Sequence, residues 1–290
     1  MSQAQQKESE EFTHATIRGQ VDDISRMLDE ASLDGETSHD SLYINVLPDE
    51  VQVLMAAPGN VVLTYCTYSS DYFDEIDVPE TETRETSDGI EYEVGAEAII
   101  DVDAVETYLG YASDGGTVEL RLTGSKDRRL ASYMRIEGAL ESWVNLPGSE
   151  DILDKVPFWL PMRYNEDDDY CNKQGDPAPA RVLTRIDQIE KIIRAVDEDR
   201  DAELYPITTE DGEFNIDVGD ESRSGVKGSL QAKQVTGPDI SNYYFDGFAE
   251  VTRVLSGPID LQTAPGGPIA FVQTNEAGRV VRHAVGITGS

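Results

Sequence analysis

Two acidic runs are this chain's nearest approach to a metal-binding motif. Asp197, Asp199 and Asp201 alternate as the first carboxylates of a calcium loop do, but the turn glycine that loop requires is missing and Glu203 stands in its stretch. Asp167 and Asp169 begin a similar series, yet Cys171 takes the third ligand position. Both runs read as solvated acidic surface. The three histidines, His14, His39 and His283, stand in isolation, which suits strand or surface positions better than catalysis. No phosphate loop, no G-x-S-x-G elbow and no Cys-x-x-Cys pair occurs. No catalytic site, metal or cofactor is therefore expected.

The elements that would position any site must be read against an unusual charge. The chain has 290 residues, 23 of them basic and 57 acidic, for a formal charge of −34. Its basic residues are 16 Arg and only 7 Lys. Such a load keeps a protein soluble but makes it repel itself in ordinary buffers. Long, well-patterned strands argue against a disordered acidic chain, and the composition fits a folded protein of a high-salt cytoplasm. At about 1 M salt the Debye length is only ~3 Å, so acidity does not exclude a nucleic-acid partner. Cys66 falls in a strand pattern and Cys171 in a linker, so no disulfide framework is expected. The opening MSQAQQKESEEF has no apolar core and reads as a polar tail over 1–10. No apolar run approaches the ~20 residues of a membrane span.

Along the chain, Val21, Ile24, Leu28 and Ala31 make one apolar stripe on a helix over about 20–31. SLYINVLPDEVQVLMAAPGNVVLTYCTY follows as a three-strand meander broken at Asp49-Glu50 and at Pro58-Gly59-Asn60. PETETRETSDG reads as a hairpin loop or insertion. Val105, Tyr108, Leu109 and Ala112 give a second helix over 103–112, and strands TVELRLTG and RLASYMRIE follow it. Residues 148–180, rich in Pro and acid, form a connector whose apolar insert VPFWLPM must dock somewhere. A third helix carries Ile186, Ile189, Ile193 and Val196; a fourth, over 241–255, carries Tyr244, Phe248, Val251 and Leu255. The expected architecture is an α+β duplication: one unit over 11–147 and a second over 181–290, each with two helices among antiparallel strands.

That layout resembles the proliferating-cell-nuclear-antigen (PCNA)-like sliding clamps of archaeal type. The segments that carry the resemblance are DEVQVLMAAPGNVVLTYCTYSSDYFDEIDV, AIIDVDAVETYLGYAS and GPIDLQTAPGGPIAFVQTNEAGRVVRHAVGI. It covers nearly the whole chain from about residue 12. Three departures stand out: a longer connector, the polar excursion over 79–92, and a second helix without a basic residue. The resemblance implies a non-enzymatic homotrimeric ring, in a haloarchaeal cell or a virus of one, that encircles duplex DNA. Its partners would be DNA polymerase, a clamp loader and other proteins bearing PCNA-interacting peptides.

By the same resemblance, Arg26, Arg185, Lys191, Arg194 and Arg253 would face DNA, the last four from the third and fourth helices. Met55, Val61, Leu63, Val156, Phe158, Leu160, Pro268 and Val285 would wall the partner-peptide pocket. The subunit interface would pair the edge 129–136, with Arg129 and Tyr133, against 223–230, with Arg223, Val226 and Leu230. Two other readings stay open at this point: a structural or assembly protein of a halophilic virus on the same fold, and a hydrolase on an unrelated α+β fold.

Overall fold

Each half of the chain runs through the same succession of strands and helices. The computed structural model describes residues 11–33, 41–57, 62–112, 116–148, 150–197, 204–220, 224–230, 232–275 and 277–287. The first half comprises β1 (Glu11–Gln20), α1 (Val21–Ser32), β2 (Ser41–Val46), β3 (Glu50–Ala56), β4 (Val62–Ser69) and β5 (Glu75–Asp77). A hairpin of β6 (Glu82–Glu85) and β7 (Glu91–Val94) precedes β8 (Ala96–Asp101), α2 (Val102–Ala112), β9 (Thr117–Ser125), β10 (Tyr133–Glu137) and β11 (Glu141–Asn145). The connector carries two short 3-10 turns, Glu150–Lys155 and Pro161–Arg163. The second half comprises β12 (Ala180–Arg185), α3 (Ile186–Asp197), β13 (Leu204–Glu210), β14 (Glu213–Asp220), β15 (Ser224–Leu230) and β16 (Gln234–Thr236). It closes with β17 (Ile240–Phe245), α4 (Gly247–Val254), β18 (Pro258–Thr263), β19 (Ile269–Thr274) and β20 (Arg279–Val285).

Strand order makes the duplication explicit. The sheet β11-β10-β9-β1-β5 matches β20-β19-β18-β12-β16, and β4-β3-β2-β8 matches β15-β14-β13-β17. The β6–β7 hairpin has no counterpart in the second half among the described residues. Within the chain the two halves fuse: β20 pairs antiparallel with β4, from Val285↔Val62 to Arg279↔Tyr68, and builds one nine-stranded sheet.

The helices follow from their stripes. α1 buries Val21, Ile24, Met27, Leu28 and Ala31, and α3 buries Ile186, Ile189 and Ile193. Each such large aliphatic side chain contributes about 1.5–3 kcal/mol on burial. α4 starts at Gly247, later than its apolar spacing predicts, because Ile240, Asn242 and Tyr244 alternate as inward residues of β17. A Cβ at Gly247 would lie 2.2 Å from Val62 Cγ2, so glycine lets α4 rest on the β20–β4 junction.

The middle of the nine-stranded sheet is buried on both faces. Leu42, Ile44, Val51, Val53 and Met55 point to the helices and their core. Tyr43, Leu54, Leu63, Ile99 and Ala284 point the other way, and the connector covers them.

Candidate functional site

The covered face is a groove filled by the chain itself. Leu153, Val156, Phe158, Leu160, Tyr164 and Tyr170 of the connector pack on Tyr43, Leu54, Leu63, Tyr65 and Ile99. Leu160 is fully buried, and Trp159 and Met162 turn outward. Phe158 is gripped from two sides. Tyr43 meets it edge-on at 5.1 Å, and Tyr92 of the β6–β7 hairpin stacks on it at 4.6 Å. The hairpin and the connector, both departures in the sequence, thus meet at one aromatic ring.

Beneath that ring lies a buried carboxylate. Glu97 of β8 has a side chain with no solvent exposure; it accepts from Arg129 Nε at 2.8 Å, from the Tyr43 hydroxyl at 2.8 Å, and from Arg84 of β6. Two guanidiniums and a phenol thus supply the hydrogen bonds that this carboxylate, shut off from water, needs. Burial, and then the Glu97 charge, push the Tyr92 hydroxyl up to about 12 and the Tyr43 hydroxyl well above its ordinary value. At the other end, Arg282 of β20 donates from Nε to Asp168 at 3.0 Å and lies over the Tyr65 ring at 4.7 Å. The acidic run is thus part of the anchorage: Asp168 holds Arg282, and Asp169 holds Arg181 at 2.9 Å. Cys66 and Cys171 are both buried free thiols, and burial pushes the Cys66 thiol up to about 12.

Of the expected pocket residues, the structure gathers Leu63, Val156, Phe158 and Leu160 into this groove, as packed core rather than an open cavity. Met55 and Val285 point to the opposite face, among the helices. The reason is strand parity: their neighbours Leu54 and Ala284 take the groove side. Pro268 lines a separate cleft of about 360 Å³ with Arg163, Tyr170 and Cys171. Val61 lies outside the described residues.

The helix cations are thinly spread. α1, α2, α3 and α4 together hold ten Asp and Glu against four cations, Arg26, Lys191, Arg194 and Arg253. Lys191 and Arg194 share the exposed side of α3, where Glu190 pairs with Arg194. Arg26 pairs with Asp23 at 3.5 Å, and Arg253 is exposed in the last turn of α4. Arg185 is not on the helix. It ends β12, pairs with Asp187 at 2.9 Å, and lines a cleft of about 560 Å³ with Arg181, Lys233, Asp168 and Asp260.

The sheet edges also differ from expectation at one end. β10 is interior, paired on one side with β9 and on the other with β11. The turn at 138–140 folds Glu141–Asn145 back as the true edge strand, and Tyr133 pairs with Asn145. Arg129 precedes β10 and is spent on Glu97. On β11, Val144 is buried and Trp143 is 63% exposed, and Leu140 of the preceding turn is 60% exposed. The other edge is β15, which pairs only with β14 among the described residues. It contains Val226 and the buried Leu230; Arg223 lies outside the described residues. Of the other acidic run, Asp199, Asp201 and Glu203 also lie outside them, as does His39. Among the described residues no group of three or more His, Cys, Asp or Glu is placed to hold a metal ion. No described helix is long and apolar enough to cross a membrane.

No family model matches the chain, and no curated protein matches it. Solved structures do. The chain is similar to A. fulgidus PCNA solved with the C-terminal region of FEN-1, at 13% identity and a TM-score of 0.68, over 95% of this chain and 99% of that one. It is similar to PCNA from Thermococcus kodakaraensis at 11% identity and a TM-score of 0.66, over 94% of this chain and 100% of that one. The Entamoeba histolytica protein gives 11% identity and a TM-score of 0.67, over 96% of this chain and 100% of that one. At such identities the likeness is one of fold: the chain has the duplicated α+β fold of the PCNA-like clamps.

Proposed function

We propose that the chain is a DNA polymerase processivity factor, three copies of which close head to tail into a ring around duplex DNA. One observation carries the reading. Inside the chain, β20 of the second repeat pairs with β4 of the first. Their repeat counterparts, β11 and β15, are both left as edges among the described residues. The same junction made between chains joins β11 of one copy to β15 of the next, a heterologous contact that can close into a ring. Unsatisfied edges of this kind are an aggregation hazard unless a partner covers them. Trp143 and Leu140, exposed beside β11, are the apolar surface such a contact would bury.

Charge supports retention by topology rather than by attraction. With ten carboxylates against four cations on the helices, phosphate contacts would supply little affinity, and molar salt removes most of what they supply. The A. fulgidus clamp was solved with a FEN-1 segment; by analogy this chain tethers replication proteins through short peptides.

Sedimentation in molar KCl tests the ring: the wild type is expected as a trimer, and Trp143→Glu is expected to weaken it at least tenfold. A wild type that stays monomeric at every salt and protein concentration overturns the reading.

A further inference from the structure

The groove's own filling behaves as a ligand. Every backbone hydrogen bond donated within residues 156–164 is local: Val156 to Leu153, Phe158 to Val156, Leu160 to Pro157, Arg163 to Leu160 and Tyr164 to Pro161. None reaches the sheet below. At its far end Arg163 accepts from the Cys171 amide and Tyr164 bridges Tyr170, both within the connector, so residues 156–162 can lift without breaking a ladder of the sheet. The β6–β7 hairpin that grips Phe158 pairs with no other strand among the described residues. Its other ties are side-chain ones, Arg84 to Glu97, Arg129 to the Tyr92 hydroxyl and Asn45 to the Glu93 carbonyl, and a two-stranded hairpin without such ties is marginally stable, so the clasp opens where they break.

We propose that residues 150–164 are a resident plug in a peptide-binding groove, clasped by the β6–β7 hairpin, and that a partner peptide enters by taking the plug's place. The proposal rests on the tethering role above and adds how access to that site is controlled. The plug defines the chemistry of its competitor: a short turn-forming segment with one aliphatic and one aromatic side chain. Glu150, Asp151 and Asp154 are exposed along the plug and Glu91 and Glu93 along the clasp, so Lys or Arg flanking the competitor's apolar residues suits the rim. A tethered plug works at an effective concentration on the order of millimolar, so it excludes weak competitors and yields to tight ones.

The test uses the plug as its own probe. A fluorescein-labelled peptide copying residues 150–164 is titrated against the full chain in molar KCl and followed by anisotropy. Wild type is expected to bind it weakly. Phe158→Ala with Leu160→Ala, which loosens the plug, and Tyr92→Ala, which opens the clasp, are each expected to tighten binding at least tenfold. Adding Leu63→Asn on the groove floor is expected to cancel that gain. No gain from either opening variant, or a gain indifferent to Leu63→Asn, overturns the proposal. Hydrogen exchange on the unaltered chain is a second test, free of folding defects. The amides of Leu160, Arg163 and Tyr164 are expected to exchange by local opening, far faster than those of β4. Exchange only through global unfolding would make the segment a fixed part of the fold. Neither measurement involves DNA or a ring, so a failed exchange and a failed trimer are told apart.

Discussion

Arg279 on β20 donates from Nη1 to Glu30 Oε1 on α1 across 2.8 Å, tying the last strand of one repeat to the first helix of the other. Both side chains are nearly buried, at 10% and 6% exposure. Gln273 accepts from the same guanidinium, and the Tyr68 hydroxyl lies 3.4 Å from Glu30. Burial raises the Glu30 carboxyl above its ordinary value, and Arg279 pulls the other way without cancelling it.

A carboxyl raised on folding is favoured as the acid, so its contribution to stability is lost as pH rises through the raised value. Glu30→Gln is expected to remove that slope but to cost about 3 kcal/mol at pH 7, because it leaves the nearly buried Arg279 guanidinium without its counter-charge. Arg279→Ala strands the carboxylate and is expected to cost about 3 kcal/mol. Denaturant unfolding in molar KCl across pH 4 to 8 distinguishes them. A glutamine variant that retains the full slope would assign it to another group.

His283 gives the opposite sign. The ring is fully buried, Nδ1 lies 2.9 Å from the Thr64 hydroxyl, and burial drives its pKa down to about 3. As pH falls below about 6.5 the unfolded chain takes up a proton that the folded chain refuses. At roughly 1.4 kcal/mol per unit, about 3 kcal/mol is lost between pH 6.5 and 4. His283→Gln should flatten acid unfolding by that amount, and an unchanged acid limb would exclude this histidine.

Salt should act on the clasp before it acts on the fold. Glu82, Glu85, Glu91 and Glu93 of the hairpin face solvent, as do Glu150, Asp151 and Asp154 of the connector; the stacking of Tyr92 on Phe158 brings the two elements together. Moving from about 1 M to 0.1 M salt lengthens the Debye length from ~3 to ~10 Å and lets these charges repel. Limited proteolysis within 150–164 is expected to speed up severalfold at 0.1 M while the sheets stay intact. Equal cleavage at both salts would count against a charge-sensitive clasp.

On α3, Lys191→Glu with Arg194→Glu is expected to leave assembly unchanged and to lower polymerase stimulation severalfold. Arg185 is left out because it belongs to the cleft on β12. Unchanged stimulation would place DNA on another surface.

The helices α1 and α3 are legible in the sequence because a 3.6-residue stripe has one meaning on an otherwise polar segment. The fourth is half legible. Tyr244 and Phe248 are four apart, which fits a helix, but Tyr244 is an inward residue of β17. VLMAA and HAVGI show no parity, because strands covered on both faces carry continuous apolar runs. That is why nothing in the pattern corrects the resemblance, which implies Met55 and Val285 on the groove side where the structure has Leu54 and Ala284. β11 escapes a reading of the sequence because it turns Val144 inward and Trp143 outward, so that apolar and polar residues do not alternate along it. VPFWLPM reads as a docking insert, but nothing in it says that its dock lies within the same chain.

The β20–β4 junction also fixes an order of events during synthesis. Thr64 and His283, hydrogen-bonded at its centre, are 219 residues apart in sequence. While the ribosome is still making the second repeat, β4 has no neighbour on that side, and the first repeat waits with an open sheet edge. Pairing at such separations is slow, and a waiting edge can be captured by another nascent chain. The −34 charge then has an early use: it holds half-made copies apart until each can complete its own sheet.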